Sequence, residues 1–157
     1  MAEIVLLLAS PLHRYEGRPR DGAVPYDGPE TFDEITVRKG LGVVGDRFFG
    51  HRAHIRESVT IMAAEGLEGL NADPAKTRRN VITRGIDIDA MVKAEFSLDS
   101  GDGPVWFRAH SPANPCAWMD EELAPGAFTH LRRHGGMRCE PLSDGTLRLG
   151  PVTLALR

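Results

Sequence analysis

The sequence predicts a mainly β chain of α+β type, folded as a barrel or a sandwich. Many short runs are β-branched or alternately apolar, glycine- and proline-rich turns separate them, and helical stretches are few. At 157 residues the chain fits one domain spanning 1–157. A domain of this size buries roughly 70% of the surface its unfolded chain exposes, so it needs no disulfide or metal to fold.

Taken in order, the apolar run Glu3–Ala9 reads as a buried strand. Residues 11–30 are rich in proline, glycine and charge and read as a long exposed loop. Glu34–Val37 and Ser58–Met62 read as strands, and Ala63–Leu70 as a short helix weakened by Gly66 and Gly69. Asn80–Thr83, Glu95–Leu98 and Val105–Ala109 follow as strands, the last two forming a hairpin across Gly101–Pro104. Pro125–His134 is the best helix, with basic residues in its last turn and Gly135 available just beyond it. Met137–Leu142 and Thr146–Leu149 flank Ser143-Asp144-Gly145, a hairpin signal, and Val152–Leu156 makes a final strand.

Lys and Arg number 19 against 22 Asp and Glu, a net charge of −3. This argues against a dedicated nucleic-acid binder, which carries a clustered basic surface. The apolar run near the start is too short to span a membrane and lacks the basic flank of a signal peptide. Two cysteines with no CxxC spacing make neither a disulfide framework nor a zinc site. A reducing, cytoplasmic setting is the simplest expectation.

Residues 40–45 read Gly-Leu-Gly-Val-Val-Gly, a match to the dinucleotide-binding fingerprint. The helix that should follow is interrupted by Gly50, and no train of βαβ units succeeds it, so a tight turn is the better reading. His51 with His54 and His130 with His134 have helical spacings, but two ligands do not make a metal site. Around Asn80, Arg78, Arg79 and Arg84 pack charge along a strand. That is either an anion pocket or a charged edge strand.

Cys116 follows two prolines in Ser111-Pro112-Ala113-Asn114-Pro115-Cys116, with helix-compatible residues after it. A thiol at such a loop-to-helix junction can serve as a nucleophile or a soft metal ligand. The alternative is a small buried hydrophobe, and the residues alone leave both open. Cys139 lies in a strand-like run and reads as buried.

In combination these elements resemble the MOSC domain, named for the C-terminal region of molybdenum-cofactor sulfurases. The resemblance rests on Gly40-Leu41-Gly42-Val43-Val44-Gly45-Asp46-Arg47, the strand and Glu-Leu segment of 58–70, Arg79-Asn80-Val81 with Gly85-Ile86-Asp87, Pro115-Cys116, and Gly135-Gly136-Met137-Arg138 with Asp144-Gly145 and Gly150. It covers about residues 36–152 and departs from the pattern at Gly150-Pro151. It implies a β-barrel with a few short helices. It also implies that Cys116 either carries sulfur as a persulfide or ligates molybdenum in the pterin cofactor (molybdopterin). By motif position it assigns Arg79, Asn80 and Arg47 to the cofactor, and Asp120 to an acidic position that orients the catalytic site.

No pyridoxal-phosphate desulfurase domain fits in this chain, so a sulfur carrier would draw on a separate cysteine desulfurase. Three functions follow: a sulfur-transfer or cofactor-binding module, a small molybdoenzyme reducing N-hydroxylated compounds with a redox partner, or a non-enzymatic binder of anionic ligands. Nucleic acid and membrane are not expected partners.

Overall fold

A computed structural model describes all residues from Met1 to Arg157. Its strands are β1 (Glu3–Leu7), β2 (Glu34–Arg38), β3 (Gly42–Val43), β4 (Val59–Ala63), β5 (Val81–Arg84), β6 (Glu95–Asp99), β7 (Pro104–Pro112), β8 (Met137–Pro141), β9 (Gly145–Arg148), β10 (Gly150–Pro151) and β11 (Thr153–Leu156). Two short helices, α1 (Trp118–Glu122) and α2 (Ala127–His130), accompany several single turns of 3-10 helix.

Eight strands run in the order β10-β1-β5-β4-β8-β7-β6-β11, and β3-β2-β9 form a smaller sheet. Only Val152 separates β10 from β11, so one stretch of chain pairs with β1 on one side and β6 on the other. This brings the two ends of the large sheet together and makes it a nearly closed barrel. All of its pairs are antiparallel except β4 with β5. A parallel pair cannot be joined by a tight turn. Residues 64–80 make the crossover through 3-10 turns at Ala64–Leu67 and Pro74–Thr77.

Strand alternation sorts side chains into two apolar layers. Ile4, Leu7, Val59, Ile61 and Val81 point into the barrel with Phe96, Phe107 and Met137. Their neighbours Met62 and Ile82 point outward, where Met119, Ala127 and Leu131 of the α1–α2 layer cover them. Strands β1, β4 and β5 are therefore apolar on both faces, which is why they read as continuous runs. β7 has one open face and alternates, with Val105, Phe107 and Ala109 in and Arg108 and His110 out.

Three expectations are corrected. The Ser143-Asp144-Gly145 turn does not close a hairpin: β8 pairs with β7 and β4, whereas β9 crosses to the small sheet and pairs with β2. Asp144 instead accepts the Lys39 amide at 2.7 Å, tying that crossover to the end of β2. The helix over 125–134 shrinks to Ala127–His130, because Gly126 and Arg133 adopt left-handed backbone (φ 85° and 65°). Gly135 is no helix cap, and His130 and His134 do not share one helix. The helix over 63–70 is one 3-10 turn, Ala64–Leu67. The β6–β7 hairpin forms as expected.

Candidate functional site

The site lies where the outer helical layer meets the barrel. β7 ends at Pro112, and the following loop is held by the Ala113 amide donating to Gly136 O at 2.8 Å. The loop turns at Cys116, whose carbonyl accepts the Met119 amide (2.9 Å) and so starts α1. Trp118 and Met119 bury themselves beneath, which leaves the Cys116 thiol exposed at the junction. Cys139 is fully buried in the barrel, and burial pushes its thiol far above the ordinary range.

A cavity of about 220 Å³ opens beside Cys116. Five arginines line it, Arg14, Arg47, Arg78, Arg79 and Arg138, with a single carboxylate, Glu57. Each arginine arrives from a different local device. The glycine-rich turn at 40–45 places Gly40, Gly42 and Gly45 at positive φ (68°, 119° and 85°), a conformation glycine adopts without steric cost. The chain thereby swings Asp46 inward. Its Oδ1 accepts the Ser10 amide and one Arg47 N–H, both at 3.0 Å, which fixes Arg47 on the cavity wall. Burial holds the Arg47 pKa below its usual value, partly offset by Asp46. Residues 40–45 thus form tight turns on either side of the short strand β3 and open no helix.

Arg78 takes left-handed backbone (φ 63°) where the 3-10 turn Pro74–Thr77 ends. Its guanidinium bonds Glu30 at 2.6 Å, and Glu30 also takes Arg14 at 2.7 Å. Burial raises the Glu30 pKa, but bonds from Ser10 and Arg78 outweigh it and hold the carboxyl below its usual range. Arg138 projects from β8 and sits 3.7 Å from Glu57.

Arg79 differs from the other four. It forms no ion pair with any carboxylate. Its guanidinium donates to Gly135 O (2.9 Å) and Ala113 O (3.0 Å), and more distantly to Thr77 O (3.3 Å). Burial pulls its pKa down to about 10, with Cys116 the largest influence in the opposite direction. It stays charged at neutral pH, so an uncompensated cation lies within electrostatic reach of the thiol.

The segment 11–30 is a loop exposed over most of its length, as expected, and its residues His13, Arg14 and Tyr15 also wall the site. Tyr15 stacks on Trp118 (ring centroids 4.9 Å apart, 7° between planes) and its hydroxyl donates to Lys76 O. Desolvation raises the Tyr15 pKa, so it remains a neutral phenol. His13 packs edge-on against Phe48 and also lines the cavity, its pKa lowered by burial and then by Arg47.

The sequence-predicted residues separate accordingly. Cys116, Arg79 and Arg47 come together. Asn80 is not available to a ligand: its Oδ1 accepts the Thr60 amide (2.9 Å) and its Nδ2 donates to Leu8 O (3.0 Å), clipping β1, β4 and β5 together. Asp120 does not line the cavity, and its carboxylate accepts the Phe128 amide (2.8 Å) at α2. Sequence reasoning assigned no role to His13, Arg14, Tyr15 or Arg138. The only signal for them was the density of charge and aromatics in 13–20, and the arginine that follows Gly135-Gly136.

No protein-family profile matches the sequence, and no curated protein matches it either. Solved structures do match in shape. The YuaD protein from Bacillus subtilis superposes with a TM-score of 0.71 at 16% identity, over 98% of this chain and 95% of that one. YiiM from Escherichia coli gives 0.54 at 16% identity, over 99% of this chain and 69% of that one. A hypothetical protein gives 0.54 at 15% identity with similar coverage. The likeness is one of fold. No helix is long and apolar enough to cross a membrane.

Proposed function

We propose that this is a MOSC-type protein in which the Cys116 thiol works beside an arginine-walled anion pocket, carrying sulfur as a persulfide. The observation that carries the reading is the exposed thiol on the same cavity wall as Arg79, a charged guanidinium without a carboxylate partner. The shared fold with YuaD and YiiM, both MOSC-domain-like proteins, supports it.

The thiolate is the reactive form of cysteine. In the transfer, the Cys116 thiolate attacks the terminal sulfur of a persulfide on a separate cysteine desulfurase. A Cys116 S–S bond forms, the donor's S–S bond breaks, and the donor leaves as thiolate. No net oxidation occurs, and a reducing cytoplasm suits such exchange. Here Arg79 contributes positive charge near the sulfur, and Tyr15, held flat on Trp118, forms part of the cavity wall.

The donor set also fits the molybdenum cofactor: Cys116 offers a soft ligand, and Arg47, Arg79 and Arg138 offer partners for a phosphate. Bound there, the metal would supply redox chemistry towards N-hydroxylated compounds, while this chain ligates and orients.

The test is expression in a host that makes the cofactor, followed by assay of sulfane sulfur, molybdenum and pterin in wild type and Cys116→Ala. Sulfane sulfur on the wild type alone supports the carrier. Stoichiometric molybdenum lost in the variant makes Cys116 a ligand. Neither signal in the wild type leaves a binding domain with a spectator thiol and overturns the reading.

A further inference from the structure

Beyond Arg138 lies a second concavity, a groove of about 660 Å³. It shares Arg138 and Glu57 with the thiol cavity, so this pair of side chains is the partition between the two spaces. The partition is loose. Arg138 and Glu57 stand 3.7 Å apart, 42% and 39% exposed, and exposed pairs of this kind hold weakly.

The far side of the groove is also cationic, with Arg52, Arg56 and Lys93 on its walls. Glu57, the carboxylate on the same segment as the two arginines, is engaged by His54 and Arg138. The other carboxylate of the groove, Glu140, is held by His110 at 2.8 Å. Arg52 and Arg56 are exposed and form no ion pair. Two concavities with excess positive charge therefore share one movable arginine.

We propose that the ligand of this site is an extended polyanion that runs past Arg138, with one anionic group in the thiol cavity and a second in the groove. The proposal rests on the anion-pocket reading above and adds to it the ligand's length and charge. Linking two anions makes the second contact intramolecular, so affinity rises well beyond that of either group alone. Arg138 contacts the ligand where it crosses, and its exchange of Glu57 for an anion opens the partition.

The experiment is calorimetric titration with inorganic phosphate, tripolyphosphate and a longer linear polyphosphate. It compares the wild type, Arg79→Gln, the double variant Arg52→Gln/Arg56→Gln, and a charge-matched control, Arg132→Gln/Arg133→Gln. Arg132 and Arg133 are exposed and lie outside both concavities. Chain length should tighten wild-type binding by roughly tenfold or more. Arg52→Gln/Arg56→Gln should lose most of that gain, roughly two- to fivefold per cation removed, with phosphate affinity unchanged. The control should behave as wild type, and Arg79→Gln should weaken every probe. Equal affinity for all probes, or equal losses in the control and the groove variant, overturns the extended ligand while leaving the anion pocket standing. Failure of the wild type to bind phosphate at all overturns both.

Discussion

Replacing Arg79 with lysine keeps a positive charge at the cavity but removes the fork that bridges two loops. The guanidinium ties Gly135 O and Ala113 O at 2.9 and 3.0 Å, and these carbonyls belong to the segments leading into β8 and towards Cys116. An ammonium reaches one carbonyl but lacks the planar geometry to hold both. One hydrogen bond to a charged donor is worth about 1.5–3 kcal/mol, and Arg79 is partly solvated, so the loss is about 2 kcal/mol. For a domain of this size that lowers the melting temperature by about 4–8 °C. Thermal unfolding measures it, and the native rate of Cys116 with an aromatic disulfide should rise as its loop loosens. A melting temperature within about 1 °C of wild type, accompanied by a collapse of phosphate affinity, would refute the reasoning. Arg79 would then be a ligand contact whose carbonyl bonds are incidental.

Two further outcomes are expected. Under native conditions a thiol reagent should modify Cys116 alone, with Cys139 appearing only in denaturant; native modification of both would contradict the buried position of Cys139. Glu30 has a folded pKa below its unfolded value, so its ion pairs stabilise the fold above the ordinary glutamate range, and that stability is lost as pH falls through the folded pKa. Glu30→Gln should therefore be less stable than wild type at pH 7, with the gap closing in acid. A gap that stays constant across the pH series would show that Glu30 does not act through its charge.

Much of the barrel was legible because its strands carry the signals that burial leaves. β1, β4 and β5 lie between two apolar layers and read as unbroken runs, while β7 alternates. The Gly40–Gly45 turn was legible for a different reason, since only glycine takes three positive φ values so close together without strain. Asn80 was not. An asparagine beside two arginines looks like a ligand residue, and only the register of β5 against β1 and β4 reveals that its amide is spent on backbone. The β8–β9 hairpin failed for a related reason: Ser-Asp-Gly reverses the chain whether it closes a hairpin or hands it to another sheet. Residues 11–30 lack periodicity, so nothing local shows that Tyr15 lies flat on Trp118.

The stretch Gly150–Leu156 has a consequence for how the molecule assembles. It pairs with Glu3 and Ile4 on one flank and with Phe96–Asp99 on the other. As a nascent chain leaves the ribosome, the free margins of β1 and β6 have no partner until this late stretch emerges. Contacts so distant in sequence make for slow folding, and unpaired strand margins invite association with other chains while they wait. A chain shortened before Gly150 would keep the residues of the thiol cavity yet remain permanently in that unsealed, aggregation-prone state.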